Sequence, residues 1–263
     1  MPASWTQLHH EAVEIVTGAE RDGVTLRVVG STGIRLHCTA AADAMQACGR
    51  VAKDIDLIVP AKQRKGMRRF LEARGYIIDR DLLIAMEGRR YSFTNPATDI
   101  DLDVFVEQLE FNHTVDVRKR PGRHNLTVAL EDLLLAKLQI VNLTPTDLVD
   151  LTVLLTSHPV TTSDAGEEAI DAAYVAKCLA ADWGFHHTAV RNLVRLRTAL
   201  DEGDGPDVDA DGPDKPAETV RERVGILEKA IETAPKSMAW RVRGRLGERV
   251  QWWEDVDERE ATY

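Results

Sequence analysis

The segment DIDLIV (54–59) constrains the fold more than any other part of the 263-residue chain. Acidic and aliphatic residues alternate in it, which is the period-2 pattern of a β-strand, and Pro60 ends that strand. In such a strand Asp54 and Asp56 point to the same face, about 6.5 Å apart along the chain. Two carboxylates on one face repel each other unless a cation lies between them, and Mg²⁺ is a hard ion that carboxylates hold together with substrate phosphates. The pattern therefore predicts a strand with a divalent-metal site; a strand end with solvated acids is the competing interpretation.

A Gly-containing turn precedes this strand along the chain. The segment TLRVV (25–29) predicts a short strand that leads into Gly30 and Ser31, and the segment 34–47 predicts the helix that follows. Glycine lets the backbone approach a phosphate closely, and the hydroxyl and N–H groups at a helix start donate hydrogen bonds to it. The turn therefore predicts a phosphate site upstream of the paired aspartates.

A second acidic strand, DIDLDVFV (99–106), carries Asp99, Asp101 and Asp103 on one face. A third acid beside bound metals can orient or deprotonate an attacking hydroxyl. Asp103 lies directly before an aliphatic and aromatic run, so we expect it to complete a carboxylate triad with Asp54 and Asp56. Asp101 is the alternative third carboxylate.

Composition excludes several classes of protein. Hydrophobic residues form 44% of the chain, which is typical of a globular protein. The sequence has neither an apolar run near the roughly 20 residues that span a bilayer nor the pattern of a secretory signal. Its three cysteines are scattered and form no metal-binding or redox pair. We therefore expect a cytoplasmic protein with reduced thiols and no membrane partner.

The net charge of −10 is unevenly distributed. Residues 1–125 hold 18 Lys and Arg against 17 Asp and Glu, whereas residues 126–263 hold 15 against 26. Much of the acidic excess lies in the stretch 201–219, which predicts a solvated loop. In the first half, two basic groups could grip a triphosphate or an RNA backbone. They are Lys62, Arg64, Lys65, Arg68 and Arg69, and Arg118, Lys119, Arg120 and Arg123.

The order of the predicted elements indicates an α+β (mixed α/β) fold. In the first half, further strands are predicted from YIIDRDLLIAM (76–86), RRYSFTN (89–95) and HTVDVR (113–118), and the segment 62–75 predicts an amphipathic helix. From residue 131 onward, one helical pattern follows another. These patterns are at 131–141, from Pro145 onward, and at 166–184, 186–200, 217–233 and 237–253. We expect a small mixed β-sheet with flanking helices, followed by an all-helical C-terminal part.

The order Gly-Ser, helix, paired aspartates and a later acidic strand resembles the DNA polymerase β-type nucleotidyltransferase superfamily. The stretch from DVFVEQLEFNHTVDVR to LTVALEDLLLAKLQIVNLTPTDLVDLTVLL is similar to bacterial nucleotidyltransferases of the AbiEii/MenT type. In such proteins a lysine in a K-L helix and an aspartate in a T-D-L-x-D helix belong to the active site. Lys137 in AKLQ and Asp147 in TDLVD match those positions.

The resemblance implies metal-dependent transfer of a nucleoside monophosphate from a nucleoside triphosphate (NTP) to a hydroxyl, with release of pyrophosphate. Asp54, Asp56 and Asp103 would hold Mg²⁺ or Mn²⁺. Gly30, Ser31 and Lys137 would bind the nucleotide phosphates. The implied acceptors are the 3′ end of tRNA, a protein side chain or a small molecule such as an aminoglycoside, and an antitoxin is an implied partner.

Four parts of the chain are predicted on this basis. They are a nucleotidyltransferase core (1–128), a helical part that closes the cleft (129–200), an acidic linker (201–218) and C-terminal helices (219–263). Two other functions compete with the leading hypothesis. A glycosyltransferase also uses an Asp-x-Asp pair with a metal, but it leaves the Gly-Ser turn unexplained. A non-catalytic nucleotide-binding or toxin–antitoxin module would release no pyrophosphate.

Overall fold

The computed structural model of the chain describes residues 4–38, 54–118, 124–163, 166–202 and 216–255. Within these ranges a mixed five-stranded sheet lies in the first half, and helices make up most of the second. The α+β fold with a largely helical C-terminal part is therefore confirmed. No described helix combines the length and the apolar character that crossing a bilayer requires. The proposed division into four parts stays a prediction.

The central sheet has the strand order β1-β2-β5-β4-β3. Its strands are β1 (Arg27–Val28), β2 (Asp54–Val59), β3 (Ile77–Ile78), β4 (Arg90–Asn95) and β5 (Ile100–Val106). Strands β2 and β5 are parallel, and the other neighbours are antiparallel. Among the described residues, two small pairs of strands lie outside this sheet. They are β6 (Gln108–Glu110) with β7 (Thr114–Asp116), and β8 (Val160–Thr161) with β9 (Ile170–Asp171).

Helices pack on both faces of the central sheet. The described helices are α1 (Trp5–Arg21), α2 (Gly30–His37), α3 (Arg64–Ala73), α4 (Arg80–Ala85), α5 (Leu130–Leu138), α6 (Pro145–Ser157), α7 (Ala172–Leu179), α8 (Trp183–Glu202), α9 (Pro216–Thr233) and α10 (Met238–Leu246). Two short 3₁₀ turns, Ala61–Gln63 and Gly247–Arg249, complete the described elements.

The alternation in β2 divides the molecule into two hydrophobic cores. Ile55, Leu57 and Val59 are buried against the apolar faces of α1 and α3 on one side of the sheet. Ile58 belongs to the second core, which is built mainly from α5 to α9. Because side chains alternate along a strand, Asp54 and Asp56 face this second side. The acidic residues of β2 therefore lie on the face that the helical half covers.

Helix α5 is the centre of the second core, since all nine of its residues are buried. Helix α6 follows it and begins with a capping box, in which the Thr144 hydroxyl and the Asp147 carboxylate each accept a hydrogen bond from the other residue's backbone N–H. Pro145 occupies the first turn, where its missing N–H costs no hydrogen bond. These signals explain why α6 begins where the sequence predicts.

Four predicted elements differ from those observed. The strand predicted over 76–86 is only two residues long, because the Asp79 carboxylate accepts hydrogen bonds from the N–H groups of Asp81 and Leu82 and so starts α4. The helix predicted over 166–184 begins at Ala172, after the short strand β9. The helix predicted over 237–253 ends at Leu246, where Gly247 has φ +55°. Helix α2 begins at Gly30, earlier than predicted, and the rest of the segment 34–47 beyond Cys38 lies outside the described residues.

Candidate metal centre

Three carboxylates from two adjacent strands form a cluster on the helix-covered face of the sheet. The parallel register of β2 and β5 places Asp56 opposite Asp103. One carboxylate oxygen from each of Asp54, Asp56 and Asp103 lies within 4.8 Å of the others. Across the described ranges, this is the only group of three or more His, Cys, Asp or Glu side chains arranged so closely. Asp103 is buried, while Asp54 and Asp56 keep part of their residue surface exposed; the Asp56 carboxyl group itself is surrounded by protein.

The register also separates the two candidates for the third carboxylate. Asp101 pairs with Asp54 across the strands, but its carboxylate lies outside the cluster. It is exposed and accepts a hydrogen bond from Thr94 Oγ1 at 2.7 Å. Asp99 has left-handed backbone (φ +57°) and precedes β5 rather than lying in it. The structure thus brings Asp103, and neither of the other two acids, to Asp54 and Asp56.

The electrostatics of the cluster favour a cation. Burial raises the pKa of the Asp56 carboxyl well above its usual range, and the charges of Asp54 and Asp103 raise it further. Lys137 and Arg90 act in the opposite direction. The Arg90 guanidinium donates from Nη2 to Asp103 Oδ2 at 2.8 Å, and both side chains are buried. Three hard oxygen ligands whose mutual repulsion is only partly offset are a donor set that suits Mg²⁺ or Mn²⁺.

The start of α2 is packed directly against Asp56. Gly30 has φ +66°, and a Cβ at this position would lie 2.2 Å from Asp56 Oδ2. The backbone N–H of Val29 donates to the Asp56 carbonyl at 2.9 Å, and Thr32 Oγ1 donates to the Asp54 carbonyl at 3.2 Å. Ser31, the second helical residue, is partly exposed. The absence of a side chain at Gly30 therefore leaves a cradle between the helix start and the carboxylates.

Lys137 lies in a buried ionic network on the helical side of the site. Its Nζ is 2.9 Å from Asp147 Oδ1 and 2.7 Å from Asp150 Oδ2. Burial alone would raise the pKa of Asp147, but Lys137 and the hydrogen bonds from Thr144 outweigh it and hold that pKa below its ordinary value. The sequence predicts a nucleotide phosphate as the anion for Lys137, whereas the structure shows two carboxylates of α6 in contact with it. Its charge also lowers the pKa of Asp56, so the network and the carboxylate cluster are electrostatically linked.

Two residues at the site were not identified from the sequence. Asp150 follows Asp147 by three positions on α6, a spacing that places both on one side of a helix, so the TDLVD pattern contained a usable signal. Arg90 had no such signal. It lies on β4 opposite Phe105, and its guanidinium reaches Asp103 diagonally across the ladder. Only the pairing of β4 with β5 reveals that contact.

The two basic groups do not join this cluster within the described residues. Helix α3, which carries most of the first group, buries Met67, Phe70 and Leu71 in the core on the opposite face of the sheet. Arg118 pairs with Asp116 through two hydrogen bonds. Lys119, Arg120 and Arg123 lie outside the described residues. Helix α3 therefore packs on the face of the sheet opposite the carboxylates, and a role for its basic side chains stays a prediction.

Comparisons with known proteins give little further information. No protein-family model matches the chain, and no curated protein is significantly similar to it. A crystal structure of an antigenic nucleotidyltransferase-like protein from Paracoccidioides brasiliensis is similar over 91% of this chain and 98% of that one. The sequence identity is 13% and the TM-score is 0.40.

Proposed function

We propose that the chain is a metal-dependent nucleotidyltransferase that moves a nucleoside monophosphate from an NTP to an acceptor hydroxyl. The observation that carries the proposal is the carboxylate cluster of Asp54, Asp56 and Asp103, set against the glycine at the start of a helix. Paired carboxylates hold the cation, and a helix start without a side chain accepts a phosphate. The two features are needed together when the substrate is a metal-bound triphosphate.

Asp54, Asp56 and Asp103 would hold the Mg²⁺ or Mn²⁺. When bound, such a cation would neutralise negative charge on the triphosphate and on the leaving pyrophosphate. The nucleotide would approach the cluster from the side of the partly exposed Asp54. Arg90 would keep the Asp103 carboxylate in place through its buried ion pair.

The remaining roles belong to the chain's own residues. The first N–H groups of α2, with the Ser31 hydroxyl, would donate to phosphate oxygens above Gly30. Lys137 would add positive charge beside the cluster, and Asp147 would hold Lys137 in place. Asp103 would accept the proton of the acceptor hydroxyl while the acceptor oxygen bonds to the α-phosphorus. The bond from that phosphorus to the bridging oxygen then breaks, and pyrophosphate leaves.

The acceptor belongs to one of three classes implied by the sequence: the 3′ end of tRNA, a protein side chain or a small molecule. Helix α5 contributes Lys137, whose charge acts on Asp56, and helix α6 contributes Asp147, which is paired with Lys137. Contacts that select the acceptor would therefore come from this half of the molecule. A toxin role and an antitoxin partner belong to the same proposal and depend on which acceptor is used.

The test is incubation of the chain with each α-³²P-labelled NTP, Mg²⁺ or Mn²⁺, and total cellular RNA, aminoglycosides or a protein lysate. Asp56→Asn and Asp103→Asn should lower pyrophosphate release by on the order of 100-fold or more, because each removes a cluster carboxylate. Asp101→Asn is the matched control: it lies on the same strand as Asp103 but outside the cluster, and should stay within about threefold of the wild type. Electron paramagnetic resonance of Mn²⁺ binding gives a readout that is independent of turnover.

Each outcome has a distinct meaning. Label in tRNA-sized bands identifies an RNA acceptor, and pyrophosphate release without labelled RNA retains the reaction but assigns another acceptor. Absence of label and of pyrophosphate with every donor and acceptor would leave a binding module. Equal Mn²⁺ affinity in the wild type and in Asp56→Asn would show that the carboxylates are not the metal site.

A further inference from the structure

Helix α10 presents a row of exposed aliphatic side chains. Met238, Val242 and Leu246 follow one another at four-residue spacing and are 72%, 54% and 47% exposed. This spacing aligns them along one stripe of the helix, on its outer side. Large aliphatic side chains exposed in a contiguous row are a usual mark of an interaction site, whereas single exposed ones need no explanation.

Arginines flank this stripe. Arg241 and Arg245 are exposed, have the same four-residue spacing and make no ion pair with any described residue. The segment 236–249 holds five Lys and Arg against one Glu, although residues 126–263 as a whole hold 15 against 26. A basic and apolar surface therefore lies within the more acidic half of the molecule. We refer to Met238, Val242 and Leu246 with Arg241 and Arg245 as the α10 outer face.

The inner side of α10 is fixed to the rest of the fold. Gly244 packs on Trp183 so closely that a Cβ would lie 2.9 Å from the indole nitrogen. Arg243 stacks over Trp183 at 4.7 Å and donates to the carbonyls of Gly247 and Val250. Trp240 contacts the His186 ring edge-on at 5.0 Å. The outer face is consequently a surface held in one orientation, which lowers the entropic cost of binding.

We propose that the α10 outer face docks an acidic amphipathic helix of a partner protein. Such a helix would cover the aliphatic stripe with its own apolar residues and pair its Asp or Glu side chains with Arg241 and Arg245. A nucleic acid would satisfy the arginines but would leave three aliphatic side chains without an apolar contact. A docked protein helix satisfies both features of the surface.

Two undescribed segments of the chain are acidic and longer than five residues, 203–215 and 256–263, and both are poorer occupants by composition. Residues 203–215 are acidic, but Val208 is their only large apolar side chain. Residues 256–263 offer only Val256 and Tyr263. Neither segment has the repeated apolar positions that a stripe of two helical turns requires. An external helix is therefore the occupant that the composition favours.

The probe for the test is a fluorescein-labelled synthetic helix with leucine at every fourth position and glutamate beside each leucine. Its binding to the full chain is followed by fluorescence anisotropy. We expect saturable binding that weakens about tenfold or more in Arg241→Glu/Arg245→Glu and in Val242→Ser/Leu246→Ser. A second probe, in which lysine replaces each glutamate, should bind the arginine variant more tightly than it binds the wild type, because the charges are again complementary.

Matched controls come from exposed residues elsewhere. Lys65→Glu/Arg69→Glu on α3 reverses the same number of charges, and Ile84→Ser removes a side chain that is 75% exposed. Both should bind the acidic probe as the wild type does, and circular dichroism with thermal melting checks that every variant is folded. Asp56→Asn should also bind normally, since docking does not depend on the proposed catalysis.

Several outcomes would overturn the proposal. One is absence of saturable binding up to ~100 μM probe, and another is equal affinity of the α10 variants and the controls. A dimer in multi-angle light scattering that Val242→Asp dissociates would assign the face to a second copy. Binding of a single-stranded RNA that is lost in the arginine variant but kept in the serine variant would assign it to nucleic acid.

Discussion

Gly30 is the single residue on which the shape of the candidate site depends most directly. A side chain at this position would be strained by the left-handed backbone, and it would also overlap the Asp56 carboxylate. Gly30→Ala should lose about 1–2 kcal/mol of unfolding free energy from backbone strain. It should lose about 1–3 kcal/mol more because the new methyl group overlaps the Asp56 carboxylate. The displaced carboxylate should also weaken Mn²⁺ binding by about tenfold or more.

Gly75 provides the control for this prediction. It also has positive φ, at +90°, but no described atom lies within 4 Å of the position that a methyl group would take there. Gly75→Ala should therefore show the strain alone, with unchanged Mn²⁺ affinity. Urea unfolding measures the stability of both variants, and calorimetric titration measures the affinity. Equal losses in the two variants would show that the contact between Gly30 and Asp56 has no energetic importance.

At the level of secondary-structure elements, α5 and α6 are joined by ion pairs from Lys137 to Asp147 and to Asp150. Lys137→Met would leave two buried carboxylates beside each other, so we expect a loss of about 3–5 kcal/mol of unfolding free energy. Lys137→Met/Asp150→Asn should be more stable than Lys137→Met, because one uncompensated charge has been removed. Denaturant unfolding of the single and double variants measures this coupling, which we expect to be about 1–3 kcal/mol.

An exposed interhelical ion pair provides the comparison for that network. Arg197 Nη1 on α8 lies 2.9 Å from Glu228 Oε2 on α9, and the arginine side chain is 50% exposed. Arg197→Met should cost less than about 1 kcal/mol, because solvent screens the pair. A loss in Lys137→Met as small as this one would contradict the assignment of a tightly coupled buried network.

Some features of the fold and of the candidate site could be predicted from the sequence and others could not, for physical reasons. The alternation in DIDLIV determines both the strand and the face of its aspartates, because a strand has a period of two. The choice between Asp101 and Asp103 depends on how β2 and β5 are aligned, which is a property of the sheet rather than of either segment. Residues 80–85 have strand-like composition, but the local cap at Asp79 starts a helix there. Arg90 became recognisable only through the pairing of β4 with β5.

At the scale of the whole molecule, the end of the described chain returns to the first half. Asn112 lies in the β6–β7 turn, and its side-chain N–H donates to the Glu254 carbonyl at 2.9 Å. The backbone carbonyl of Asn112 accepts a hydrogen bond from the Glu254 N–H at 3.0 Å. Its side-chain oxygen also accepts from Val141 N–H just beyond α5, at 2.8 Å. Trp252 donates to Thr188 on α8 at 3.1 Å. These contacts join the sheet, α5 and the C-terminal helices, so we expect them to unfold together.

Three histidines meet where three distant parts of the chain converge. His37 ends α2, His124 precedes the bridge between Thr127 and Val28, and His158 follows α6. The His37 ring centroid lies 4.3 Å from that of His124 and 5.6 Å from that of His158. Burial, together with the charges that the other two rings would carry, lowers the pKa of His37 to about 3. Burial also lowers the pKa of His124.

These shifts predict that the molecule loses stability in mild acid. An unfolded histidine takes up a proton near pH 6.5, whereas folded His37 resists protonation down to about pH 3. The stabilisation is thus complete above pH 6.5 and is lost as the pH falls, at up to about 1.4 kcal/mol per pH unit for each such histidine.

The variant His37→Gln cannot take up this proton. Between about pH 6 and 4.5, its unfolding free energy should therefore decrease less steeply than that of the wild type, by a difference of about 1 kcal/mol per pH unit. Urea unfolding across this range tests the slope, with exposed His10→Gln as a control that should match the wild type. A slope in His37→Gln equal to that of the wild type would show that this cluster does not couple folding to protonation.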